Sequence, residues 1–233
     1  MALNFGNLPQ SGSILANYDY GDLAEGLGYQ IYYGCSSTSG ANLVTTTNTI
    51  VSELPHTAVI SAAVSTTIAK YIDEKTFDLT FNMPKNIKGT IVINCPIGLK
   101  NTGAEADYEF HVVASAYHVD TTPTEILIGT ANSRTFFGAD VAANNWASGT
   151  ACIKIESANV THFKKGETLR FKISAWFKVN TADRQATLGI AHEPSGAADY
   201  DYSLSGNVAD DNEKIINSGS TVLEFHVPYV LDI

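Results

Sequence analysis

Between Leu169 and Val179 every second residue is apolar: Leu169, Phe171, Ile173, Ala175, Phe177 and Val179, with Arg170, Lys172 and Lys178 in the intervening positions. An extended chain sends successive side chains to opposite faces, so this run predicts a long strand with one face in a core and the other in water. A helical repeat would scatter the same apolar residues around a cylinder. Residues 77–81 and 223–227 alternate in the same way, and residues 89–94 and 151–155 add β-branched runs. Further strands are predicted over residues 29–33, 49–51, 58–61, 108–119, 125–129 and 186–191, about ten in all at the usual strand length.

Turn chemistry separates these runs, as at Pro84-Lys85-Asn86, Lys164-Lys165-Gly166-Glu167 and Glu193-Pro194-Ser195-Gly196. Helical candidates are short, over residues 21–26, 136–145 and 157–163, too short to layer helices on a parallel sheet. The expected fold is therefore all-β, an antiparallel, jelly-roll-like β-sandwich. No linker or composition break divides the chain, so residues 26–233 read as one sandwich domain preceded by an extended arm over residues 1–25. Residues 196–220 are polar and acidic and read as an exposed insertion before a last strand.

Hydrophobic residues make up 44% of the 233, enough for one substantial core, while charged residues make up only 16%. The balance of 14 Lys+Arg against 24 Asp+Glu gives a net charge of -10, which repels nucleic-acid phosphates. The first basic residue is Lys70, so residues 1–69 hold Asp19, Asp22, Glu25 and Glu53 with no compensating cation. A polybasic arm for lining a genome is thereby excluded. No segment approaches the ~20 apolar residues of a membrane helix. The first ten residues lack Lys, Arg and a long apolar run, so no signal peptide is expected.

Catalytic and metal-binding patterns are sparse. The six histidines, His56, His111, His118, His162, His192 and His226, show no spacing that presents two ligands to one metal. His111 and His118 lie seven apart in one predicted strand and so on opposite faces. Asp199, Asp201, Asp210 and Asp211 place carboxylates at short spacing in the polar insertion, as a calcium loop does, without the ligand order of an EF-hand. No nucleophile elbow or phosphate-binding glycine loop occurs. Cys35, Cys95 and Cys152 are isolated from one another and read as free thiols. The expectation is a protein without enzymatic activity and without an obligatory cofactor, calcium being the single candidate.

Tyr18, Tyr20, Tyr29, Tyr32 and Tyr33 form a dense group, which suits a subunit interface or a carbohydrate platform, because tyrosine buries a large ring while its hydroxyl stays bonded.

Four segments carry a resemblance: Tyr18-Asp19-Tyr20-Gly21-Asp22-Leu23-Ala24-Glu25-Gly26, Asn82-Met83-Pro84-Lys85-Asn86-Ile87-Lys88-Gly89, His162-Phe163-Lys164-Lys165-Gly166-Glu167-Thr168-Leu169-Arg170 and the ending Phe225-His226-Val227-Pro228-Tyr229-Val230-Leu231-Asp232-Ile233. Together they resemble uncharacterised proteins of tailed viruses from aquatic environments. The turn at residues 165–171 is also similar to the one before a long strand in jelly-roll trimers of the tumour-necrosis-factor type. The resemblance implies a virion structural role, as a capsid decoration, cement or minor capsid protein. It also implies assembly as a homotrimer against a major capsid protein, and a place in the virion after synthesis in the host cytoplasm. The alternative is a carbohydrate-binding β-sandwich module, with exposed tyrosine or Trp146 as its platform, and after it a glycoside hydrolase or lyase on the same fold.

Overall fold

The computed structural model describes residues 27–36, 42–46, 56–61, 67–70, 72–101, 104–141, 146–180, 186–192, 194 and 222–230. These residues form thirteen strands and no helix. In chain order they are β1 (Leu27–Ser36), β2 (Asn42–Thr45), β3 (His56–Ser61), β4 (Ala69–Lys70), β5 (Lys75–Thr80), β6 (Lys85–Asn101) and β7 (Ala106–Val119). They continue with β8 (Glu125–Asn132), β9 (Phe136–Val141), β10 (Trp146–Phe163), β11 (Thr168–Val179), β12 (Ala186–Ala191) and β13 (Glu224–Val230). The expected strand over 49–51, the helix over 21–26, the arm over 1–25 and the insertion over 196–220 fall outside the described residues.

The strands make an antiparallel β-sandwich. Sheet one runs β10-β6-β13-β1-β2, with β12 replacing β13 along the second half of β6 and β3 beyond it. Sheet two runs β5-β11-β7, with β4 also on β11, and with β8 and β9 sharing the far edge of β7. A single parallel bridge, Leu43 to Asp78, joins β2 to β5 and links the two sheets at one side. The first and last strands pair with each other inside sheet one, Tyr32 opposite Phe225, which is the jelly-roll-like feature of the connectivity.

The alternation in β11 is realised as read: its six apolar residues are buried and Arg170, Lys172 and Lys178 face outward. Phe171 of sheet two stacks on Phe225 of sheet one at 4.4 Å between ring centroids, and Phe77 meets the same ring at 5.7 Å. That aromatic contact between the layers is where the core is thickest with rings, flanked by Ile91, Ile93, Ile153 and Ile155 from the long β6–β10 pair. Pro96 sits inside β6 where β13, last paired at Asn94, gives way to β12, first paired at Ile97, a switch of partners that tolerates a residue without an N–H.

Two expected helices are strands. Residues 136–141 form β9 because the backbone completes the ladder on β7 and Phe136 stacks against Phe110 at 5.4 Å, tertiary contacts that outweigh a short local pattern. Residues 157–163 continue β10 through a bulge between Ser157 and Thr161, which re-aims the strand so that Phe163 enters the core against Phe81. The turn that follows needs Gly166, whose φ of 89° lies in the left-handed region; Lys164 N donates to Glu167 Oε2 at 2.7 Å and closes the turn from the other side.

Candidate functional site

The outer face of sheet two carries a cleft, with charged groups beside apolar surface, built by three neighbouring strands. On β7, Tyr108 points into the core, so Asp107 and Glu109 on either side of it point outward. The ladder sets Glu109 between Phe137 of β9 and Lys178 of β11, and Tyr108 between Gly138 and Val179. One residue past β11, Asn180 is held opposite Asp107: its side-chain Nδ2 donates to Asp107 Oδ2 at 2.6 Å, and its backbone N donates to Asp107 O at 3.1 Å. Lys178 Nζ lies 2.8 Å from Glu109 Oε2. These residues enclose a cleft of about 350 Å³. Phe137 stands at its rim with 73% of its surface in water, whereas its neighbour Phe136 is buried. The adjoining rung holds the Trp176 and His111 rings parallel at 6.2 Å. Burial pushes the His111 imidazole below its ordinary pKa, and its Nδ1 has no hydrogen-bond partner among the described residues, so it acts as a neutral plate beneath the indole.

Further along the same face, charges join four strands. Glu125 of β8 reaches over Tyr117 of β7 to Arg170 Nη1 and Lys172 Nζ of β11, each at 2.7 Å. Arg170 also holds Asp78 of β5, and Lys172 sits 4.8 Å over the Tyr117 ring. Lys172 and then Arg170 hold the Glu125 carboxyl below the usual carboxylate range. On the outer face of sheet one, Glu224 accepts from Asn94 Nδ2 at 3.0 Å and lies 3.1 Å from His226 Nε2. At one end of the core, Glu167 meets His118 Nε2 at 2.8 Å, with His118 edge-on to Phe163. His111 outside and His118 inside confirm that the two histidines face opposite ways.

The residues singled out from sequence do not gather at one place. Tyr29 and Tyr33 face out of sheet one, partly exposed, while Tyr32 is a core residue, 4% exposed, with its hydroxyl 2.7 Å from that of Tyr229. Tyr32 is thus removed from any surface contact by the same alternation that places its neighbours outside. Tyr18, Tyr20, Asp199, Asp201, Asp210 and Asp211 lie outside the described residues, and nothing of the Trp146 side chain is described. Cys35 and Cys95 are buried outside any disulfide, Cys95 pushed up to about 12 by burial, and Cys152 is exposed. Among the described residues no group of three potential ligands is arranged for a metal ion. No described helix is long and apolar enough to cross a membrane. The cleft residues Asp107, Glu109, Phe137, Lys178 and Asn180 were not singled out by sequence. The one signal for them is the doublet Phe136-Phe137, since in a strand two successive aromatics cannot both enter the core.

No family model and no curated protein matches the chain. Among solved structures, a CocE/NonD family hydrolase from Staphylococcus aureus is similar at 12% identity and TM-score 0.42, covering 88% of this chain and 37% of its own. A carbohydrate-binding module of the β-sandwich superfamily is similar at 10% identity and TM-score 0.26, covering 72% of this chain and 73% of its own. Infectious bursal disease virus, Gx strain, is similar at 10% identity and TM-score 0.21, covering 76% of this chain and 42% of its own. The chain spans little more than a third of the length of the hydrolases it matches. The expectation of a chain without enzymatic activity is corrected here: hydrolases stand among the solved structures that the chain is similar to. The likenesses are to the β-sandwich, and viral particles and carbohydrate-binding modules stand among its distant structural neighbours.

Proposed function

We propose that this chain is a virion structural component, a capsid decoration, cement or minor capsid protein that self-associates as a trimer through the outer edge of sheet two. The observation that supports self-association is on β8. This strand ends sheet two: among the described residues no strand is hydrogen-bonded to its far side, and its later part, at Gly129, packs against Ile155 of β10, which leaves the start of the strand as the open part of the edge. Ile126 and Leu127 on it are each 53% exposed. Being successive, they place an aliphatic side chain on both faces of the edge. An exposed aliphatic pair on an end strand invites pairing, and the bulge at Ile128 and the charge of Glu125 leave this pair itself uncovered.

The natural occupant is a second copy of this chain. Glu125 at the start of β8 is already bonded to Arg170 and Lys172, so covering the edge strands no unpaired charge. A contact between the edge of one copy and a different surface of the next gives a ring where the rotation between copies closes, and a trimer is a small ring of this kind. The net charge of -10 favours an outward position against a major capsid protein over contact with a genome. The resemblance of four segments to proteins of aquatic tailed viruses supports the particle setting.

The test is the native mass of the purified chain by light scattering behind a sizing column. A species near three times 25.0 kDa is the expected result. Ile126→Asp/Leu127→Asp then lowers the mass to that of a monomer with the sandwich still folded by circular dichroism. A wild-type monomer at every concentration overturns the proposal.

A further inference from the structure

We propose that the cleft on the outer face of sheet two is a saccharide-binding subsite, which takes a neutral pyranose ring with its C–H face on Phe137 and its hydroxyls on Glu109, Lys178, Asp107 and Asn180. This goes beyond the structural role and uses different residues from the β8 edge.

Phe137 carries the first part of the argument. Phe136 supplies the buried ring of β9, stacked on Phe110, so the fold gains little from a second aromatic that is 73% exposed. An aromatic face left in water beside polar groups is suited to a ligand that is apolar on one side and polar around its edge. A pyranose has that form: axial C–H bonds on a face, hydroxyls around the rim.

The polar groups carry the second part. Each hydroxyl of a sugar both donates and accepts, so neighbouring hydroxyls are bound by an acceptor and a donor set side by side. The cleft presents two such couples, Glu109 with Lys178 at 2.8 Å and Asp107 with Asn180 at 2.6 Å. Each couple is fixed by its own internal bond and by the strands beneath it, Asn180 N to Asp107 O at 3.1 Å in particular, so little ordering remains to be done when a ligand arrives. After their internal bond the Glu109 carboxylate keeps further lone pairs and the Lys178 ammonium further N–H groups.

Charge and size narrow the ligand. Two carboxylates against one ammonium disfavour phosphate, sulfate and other anions, as does the charge of the whole chain. The volume of about 350 Å³ lies at the small end of ligand sites. It suits one or two rings.

Isothermal titration calorimetry of the intact chain tests this with neutral tetrasaccharides of α- and β-linked glucose, mannose and galactose, and with a sulfated oligosaccharide as the anionic control. At least one neutral probe binds, and Phe137→Ala weakens that binding by about tenfold or more while the melting temperature and native mass stay unchanged. Asp107→Asn, which keeps the shape, weakens it as well. Absence of binding to every neutral probe, preference for the sulfated one, or equal affinity in Phe137→Ala overturns the assignment. A change of native mass in Phe137→Ala also overturns it, because the ring then belongs to a subunit contact.

Discussion

Arg170 holds Asp78 with two parallel bonds, Nε to Oδ1 at 2.7 Å and Nη2 to Oδ2 at 2.6 Å. Asp78 and then Glu125 raise the guanidinium above its ordinary pKa, so the charge is permanent. Both side chains are about two-thirds covered, and the pair is a forked one in a chain of charges, which sets it apart from a single flexible surface contact. Arg170→Met keeps the stem over the sheet and removes the fork. Urea unfolding should show a loss of about 1–2 kcal/mol. Arg170→Met/Asp78→Asn should lose less than the sum of its two single variants, since they break one interaction.

The hydroxyls of Tyr32 and Tyr229 bond to each other inside the core, and Tyr32 also donates to Gln30 Oε1 at 2.8 Å. Tyr229→Phe leaves the buried Tyr32 hydroxyl with one partner fewer, for a loss of about 1 kcal/mol, and the double variant with Tyr32→Phe should regain part of it. Burial pushes Tyr32 from 10.0 up to about 12. The folded state then keeps a proton that the unfolded state releases, so the contribution is complete below pH 10.0 and falls as pH rises toward 12. Chemical denaturation between these values should show a shallower decline in Tyr32→Phe than in the wild type.

At acid pH the corresponding group is Glu224. His226 first, and Asn94 after it, hold its carboxyl below the usual value of 4.5, against the opposing effect of burial. A depressed carboxylate stabilises the fold above its unfolded pKa, and that contribution disappears as pH falls through the folded value. Glu224→Gln should be less stable than wild type at pH 7 and should lose less on acidification below 4.5. Parallel curves for the two proteins sink this assignment.

The legible parts of the chain were those in which one face is buried along a whole strand. In β11 six alternating apolar residues define the strand, the core face and the charged face at once. β9 was illegible because Phe136 and Phe137 are explained by a ladder to β7, thirty residues earlier, and no local pattern encodes that partner. The cleft failed to appear for the same reason. Glu109, Phe137 and Lys178 come from three separate segments, and what brings them into one row is the register between strands, which is set by the packed sheet. Tyr32 shows the opposite failure: composition marked it as one of a surface group, while its parity on β1 sends it inward between two outward tyrosines.

Gly166 offers the most local test of the architecture. Its φ of 89° belongs to the left-handed region, and a Cβ added there meets nothing within 4 Å. Space therefore does not oppose a side chain, and the whole penalty of Gly166→Ala is backbone strain, about 1 kcal/mol. Gly166→Asn should cost less, because asparagine tolerates this conformation better than alanine. The strain falls on the turn that carries Lys164 N to Glu167 Oε2 and the pair of backbone bonds between Phe81 and residues 166 and 167. Amide exchange at Phe81, Gly166 and Glu167 should accelerate in Gly166→Ala, and in Gly166→Asn by less. A loss of several kcal/mol, or equal losses for the two variants, contradicts a penalty confined to the backbone.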